Sequence, residues 1–154
     1  MVTTRKITVL IIEDSPTVRL YYRKIFESKG FEVIEAENGQ NGWILAYERV
    51  PDIIVLDMVL PDLHGLEILK KIRGNETTKN IPILVLTSVK ELNEVQKAIN
   101  LGANYYSVKG SDSPEKIMNM IYKLLKRASE KSSESEQTNI DDTQSSKRPN
   151  NEEW

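Results

Sequence analysis

The chain has 154 residues, a formal charge of -2 and no cysteine. That length supports one domain with a real core and leaves little room for a second of ordinary size. The charge gives no general reason to expect nucleic acid or an anionic membrane as partner, and without cysteine neither a disulfide framework nor a thiolate metal site can form.

The first apolar run, Ile7 to Ile12, has the length and composition of a buried strand and ends directly in Glu13 and Asp14. It is too short, and too acidic at its end, for a leader peptide or a spanning helix, so a soluble cytoplasmic protein is expected. Pro16 suits a first helical turn, and Val18, Tyr22, Ile25 and Phe26 then share one face before Gly30 stops the helix. A second strand, Phe31 to Ala36, leads to a helix with Trp43, Ala46, Tyr47 and Val50 after Gly39, closed by Pro51. Trp43 is read as packing.

The third strand, Ile53 to Leu56, delivers Asp57. Beyond it a helix with Leu66, Leu69 and Ile72 runs to Gly74, and lone His64 before it reads as a solvated loop residue. The fourth strand, Ile83 to Leu86, delivers Thr87 and is followed by a helix marked by Leu92, Val95 and Ile99 before Gly102. The fifth, Tyr105 to Val108, is followed by Lys109. Ser113 and Pro114 then open the clearest helix, with Ile117, Ile121, Leu124, Leu125 and Ala128 on one stripe. The basic cluster Lys123, Lys126 and Arg127 complements the carboxyl end of that helix.

Strand and helix thus alternate five times, and near-continuous apolar strands are those covered on both faces. The fold expected is an α/β doubly wound sheet. In such sheets ligands collect at the carboxyl ends of the strands. Glu13, Asp14, Asp57, Thr87 and Lys109 all follow strand ends and belong to one rim. From Ser129 the periodicity stops and the composition turns polar and acidic, so residues 1–128 are expected to form the domain and 129–154 a disordered tail with no output domain.

Three carboxylates together raise one another's pKa unless a cation sits among them. Mg²⁺ takes a few oxygen ligands together with water and phosphate oxygens. A neighbouring ammonium and hydroxyl are what a transferred phosphoryl group needs, because that chemistry rests on positioning and charge neutralisation. The rim therefore reads as a Mg²⁺-dependent aspartyl-phosphate site.

In Ile11-Ile12-Glu13-Asp14-Ser15, Ile54-Val55-Leu56-Asp57-Met58 with Leu60-Pro61 and Gly65, Leu86-Thr87-Ser88, and Tyr106-Ser107-Val108-Lys109, the chain resembles the receiver domain of bacterial two-component response regulators. The resemblance implies a flavodoxin-like (βα)5 sandwich with five parallel strands in the order 2-1-3-4-5. It implies that Asp57 accepts a phosphoryl group from a histidine kinase or histidine phosphotransfer protein. Asp14 and Glu13 would then hold Mg²⁺ together with Asp57 and the backbone carbonyl of Val59, Lys109 and Thr87 would bind the phosphoryl group, and Tyr106 would be the aromatic switch. Readout would pass through the fourth helix, fifth strand and fifth helix to a downstream protein target or a phosphorylation-dependent homodimer, with no direct nucleic-acid contact and no membrane insertion.

Two departures from the family pattern matter. Gly110 follows Lys109 where a proline with a cis bond is usual, which bears on the reach of Lys109. Val59 and Val89, two residues after Asp57 and Thr87, are apolar, which implies slow self-dephosphorylation. Three other functions compete with this one. A degenerate, phosphorylation-independent adaptor keeps the fold without the chemistry. An aspartyl-phosphate phosphatase needs a second Asp where Val59 stands. A flavin mononucleotide carrier would set Glu13 and Asp14 against its phosphate, although Ser15 and Thr17 lie after the first strand.

Overall fold

The computed structural model describes residues 4–145, with side chains through residue 134. In chain order the elements are β1 (Thr8–Ile12), α1 (Pro16–Ser28), β2 (Glu32–Ala36), α2 (Gly39–Arg49), β3 (Ile53–Leu56), α3 (Gly65–Arg73), β4 (Ile83–Thr87), α4 (Leu92–Asn100), β5 (Tyr105–Val108) and α5 (Pro114–Ser145). All five strands are parallel and lie in the order β2-β1-β3-β4-β5. This is the flavodoxin-like α/β fold expected.

Alternation along each central strand divides the core into two layers. Leu10, Ile12, Ile54, Leu56, Ile83 and Val85 face α2, α3 and α4, where Ala46, Ile68, Leu69, Ile72 and Ala98 meet them. Val9, Ile11, Ile53, Val55, Leu84 and Leu86 face α1 and α5, where Tyr22, Phe26, Ile117, Ile121 and Leu124 cover them. Both layers are buried, so the central strands need apolar residues at every position. Trp43 packs against the first layer, as expected.

The helix faces differ from the sequence expectation in places. On α4 the buried residue is Ala98, while Leu92 is 82% exposed and Ile99 is also in solvent. Ala98 is the residue through which α4 joins the core layer. On α2, Tyr47 and Val50 are exposed, and Val50 takes φ 41° because the following Pro51 excludes the right-handed helical conformation. That conformation is rare for a β-branched residue. The fifth helix continues past Ala128 to Ser145, so the boundary drawn from composition at residue 129 falls inside it; 146–154 lie outside the described residues. Among the described residues no helix is long and apolar enough to cross a membrane.

Candidate functional site

The carboxyl end of the sheet gathers the residues that the sequence singled out. Glu13 follows β1, Asp57 follows β3, Thr87 ends β4 and Lys109 follows β5. Pairing fixes their relation, because β1 and β4 flank β3 and β5 lies beyond β4. The Asp57 amide donates to the Ile12 carbonyl at 2.9 Å and the Lys109 amide to the Thr87 carbonyl at 2.8 Å, so the ladder extends into the site itself.

Glu13, Asp57 and Thr87 are buried, and Asp14 is exposed at the mouth. One carboxylate oxygen from each of Glu13, Asp14 and Asp57 lies within 4.8 Å of the others. The pair Glu13 and Asp14 does not cap α1. Ser15 does, accepting from the Val18 amide at 3.3 Å, which leaves both carboxylates available. Arg19 holds the backbone of the pair, donating to the carbonyls of Glu13 at 2.7 Å and Asp14 at 3.0 Å.

Around Asp57, the Thr87 hydroxyl donates to Oδ1 at 2.7 Å and the Val59 amide to the same oxygen at 3.1 Å. Lys109 Nζ donates to Oδ2 at 3.0 Å and also to Glu13 Oε1. Among the described residues there is no cis peptide bond, so Lys109 makes these contacts with a trans link to Gly110, whose φ of 84° favours glycine. Beyond the site, the Tyr106 hydroxyl donates to the Val89 carbonyl at 2.6 Å, and the Val89 amide lies 3.4 Å from Thr87 Oγ1. Thr87 and Tyr106 therefore share one loop.

Electrostatically the site is underpaired. Burial, followed by the contact with Asp57, pushes the Glu13 carboxyl up to about 7, against the opposing pull of Lys109. Burial would also raise Asp57, but hydrogen bonds with Glu13, Thr87, Lys109 and the Val59 amide outweigh it and hold Asp57 below the usual range. Lys109 is lowered by burial and raised more strongly by its two carboxylate partners. Three carboxylates against one ammonium leave room for a further cation, and an all-oxygen donor set with a member at the mouth fits a hard divalent ion.

Three connections were not foreseen from sequence. Asp62, in the loop after β3, accepts from the amides of Gly39 at 2.7 Å and Gln40 at 2.8 Å and so ties that loop to the start of α2. Asp112 accepts from Tyr105 at 2.9 Å, Ser107 at 2.8 Å and Lys116 at 2.9 Å, joining β5 to α5. His64 is not simply a solvated loop residue: it caps α3 through Nδ1, which accepts from the Leu66 amide at 3.1 Å.

The family model of the response regulator receiver domain matches residues 9–122. Over 120 residues the chain is 32% identical to the phosphate regulon transcriptional regulatory protein PhoB of Rhizobium meliloti (strain 1021), covering 78% of this chain and 52% of that protein. It thus spans about half the length of that relative. Over 107 residues it is 30% identical to sporulation initiation phosphotransferase F of Bacillus subtilis (strain 168), covering 70% and 85%. Among solved structures, a LuxR-family two-component response regulator from Aurantimonas sp. SI85-9A1 superposes with TM-score 0.71 at 31% identity, covering 79% of this chain and 86% of that one. The chemotaxis protein CheY4 of Vibrio cholerae gives 0.72 at 27% identity, covering 78% and 99%.

Proposed function

Because the chain belongs to the response regulator receiver domain family, matched over residues 9–122, we propose that it accepts a phosphoryl group on Asp57 from the phosphohistidine of a histidine kinase or phosphotransfer protein. The observation that carries this reading is the convergence of Glu13 and Asp14 on Asp57, with Thr87 and Lys109 already hydrogen-bonded to its two oxygens. In the transfer an Asp57 oxygen forms the new P–O bond while the P–N bond of the donor breaks, and the donor imidazole recovers a proton. Lys109 and Thr87 place positive charge and a donor where the phosphoryl oxygens arrive. Glu13, Asp14, Asp57 and the Val59 carbonyl would hold Mg²⁺, which supplies neutralisation of the phosphoryl charge when bound.

A phosphoryl group on Asp57 competes with the carboxylate for the Thr87 hydroxyl and the Lys109 ammonium. The readout we propose runs from Thr87 through Val89 to the Tyr106 hydroxyl and so to the surface of α4, β5 and α5. This is a population shift biased by new contacts at one charge. A downstream protein in the cytoplasm, or a phosphorylation-dependent second copy, would read that surface without direct contact to nucleic acid. Light scattering with and without a phosphoryl mimic distinguishes these two readers.

Val59 stands 53% exposed and Val89 is partly buried, and neither side chain can hold or activate an attacking water. The acyl phosphate is therefore expected to be long-lived, with self-dephosphorylation as the only hydrolytic activity. The same Val59 leaves a phosphatase without its second carboxylate. Exposure of the protein to acetyl phosphate and Mg²⁺, followed by intact-mass measurement, tests the reading: one phosphoryl adduct is expected, absent in Asp57→Asn. No adduct on the unmodified chain would favour the adaptor instead.

A further inference from the structure

Lys109 carries the only ammonium that, among the described residues, reaches Asp57 and Glu13. Its own amide donates to the Thr87 carbonyl, and with that bond the chain leaves the sheet. A tight turn follows, closed by the Ser111 amide donating to the Val108 carbonyl at 2.9 Å. Gly110 in this turn has φ 84°, and a Cβ there would meet nothing within 4 Å. Glycine has the greatest backbone freedom of any residue, and open space lies where a neighbour could restrain this one. The turn that aims Lys109 must therefore be held from its two ends.

One end is β5 itself. Tyr105 and Ser107 share one face of that strand, because side chains alternate along it. Tyr105 packs into the layer between the sheet and the pair α1 and α5, and Ser107 is buried beside Leu86 of β4. A buried hydroxyl needs a partner, and Asp112, at the other end of the turn, supplies it. Asp112 Oδ2 accepts from the Ser107 hydroxyl at 2.8 Å and the Tyr105 hydroxyl at 2.9 Å, while Oδ1 lies 2.9 Å from Lys116 Nζ. Directly after it Ser113 caps α5, its Oγ accepting from the Lys116 amide at 3.1 Å and its carbonyl from the Ile117 amide at 3.0 Å. Only 11% of the Asp112 side chain is exposed, so little water competes for these bonds.

We propose that Asp112 is a positioning residue for phosphoryl transfer: by tying Tyr105 and Ser107 across the turn 108–111 to the start of α5, it fixes where the Lys109 ammonium stands. Among the described residues Asp112 makes no hydrogen bond or ion pair with Lys109, Glu13 or Asp57. Its influence on the site therefore passes through the placement of the backbone between them. Transfer gains most from a cation that is already in place when the phosphoryl oxygens arrive, because a preset donor needs no reorganisation during the reaction. Loss of the tie leaves Lys109 its charge and takes away its fixed position.

The role rests on the reading of Asp57 as phosphoacceptor, and the experiment separates the two. Labelling of the full chain by acetyl phosphate at saturating Mg²⁺ is followed in time by intact mass, and Mg²⁺ affinity is measured separately by calorimetric titration. Asp112→Ala should slow labelling roughly tenfold, less than the hundredfold that a misplacement of about 1 Å can cost. Its Mg²⁺ affinity should not fall, because the converging carboxylates follow β1 and β3 and none is tied to Asp112. Asp112→Asn should return labelling to within about twofold of the unmodified rate, since an amide oxygen can accept from both hydroxyls. If Asp112→Ala does not fold, Tyr105→Phe combined with Ser107→Ala removes the tie from the strand side and should show the same slowing. An unchanged labelling rate without the tie, Asp112→Asn as slow as Asp112→Ala, or a Mg²⁺ affinity that falls in step with the rate would overturn the positioning role alone. No adduct on the unmodified chain would overturn the receiver reading, and the role with it.

Discussion

At the amino ends of β4 and β5 the guanidinium of Arg73 donates to the carbonyls of Gly102, Lys79 and Ile81 and to the Asn104 side chain, over distances of 2.7 to 3.1 Å. At the carboxyl ends three carboxylates converge beside one ammonium, which reaches two of them. Both regions bury charge, but the first distributes one cation over neutral acceptors until every N–H is used, whereas the second is left short of positive charge. The first can only hold the fold together. The second can be completed by something from solution, which is what a switch requires.

The comparison breaks most visibly under Arg73→Met. That change leaves several inward-facing carbonyls without donors, and a loss of about 3 kcal/mol in urea unfolding is expected. Mg²⁺ should restore none of it beyond its effect on the unmodified protein. If added Mg²⁺ selectively rescues Arg73→Met, the two ends are not independent.

Lys109→Met is the matching change at the other end. With its ammonium gone, Glu13 and Asp57 face each other, and at pH 8 a loss of about 2 kcal/mol is expected. Here Mg²⁺ should recover most of the loss, because the ion replaces the missing charge. Unfolding curves with and without the ion, run on both variants, measure the contrast directly.

The same shortage predicts a pH dependence of metal binding. Glu13 is raised from about 4.5 to about 7 in the metal-free fold, so below that value it holds a proton that Mg²⁺ must displace. Apparent Mg²⁺ affinity should fall about tenfold per pH unit below 7 and level off above it. For stability the sign is opposite: between 4.5 and 7 the folded chain holds more protons at Glu13 than the unfolded one, so in the absence of metal this group's contribution weakens as pH rises. Fluorescence or calorimetric titration with Mg²⁺ at a series of pH values tests the first, and flat affinity across pH 6 to 8 would contradict it.

The strands and the members of the rim were legible because each is written locally: an apolar run, then a charged or hydroxyl residue at its end. The strand order was legible only through the family resemblance, since periodicity says nothing about which strands pair. Arg73 left no mark because its partners are backbone carbonyls, which no sequence pattern encodes. The cap by His64 was missed for a related reason: histidine is not among the favoured capping residues. On α4, Leu92 and Ile99 fit a helical stripe, yet the buried place goes to Ala98, because the face a helix turns to the sheet is set by tertiary packing. Beyond Ala128 the polar composition excluded a core but not a helix, because Glu, Lys and Gln are good helix formers without one.

The smallest effect sharpens the comparison by separating location from charge balance. Asp62 lies on the loop leaving Asp57, near the rim, but its carboxylate is satisfied by the amides of Gly39, Gln40 and Leu63, and these contacts hold it below the usual carboxylate range despite a raising effect of burial. It therefore behaves as Arg73 does, with neutral partners and no remaining demand. Asp62→Ala should cost about 1 kcal/mol, the usual effect of removing a helix-capping carboxylate. It should not change Mg²⁺ affinity or the pH at which that affinity levels off, because none of the three converging carboxylates depends on Asp62 for its charge. A change in the Mg²⁺ titration of Asp62→Ala would mean that the loop, rather than the carboxylates alone, sets the electrostatics of the site.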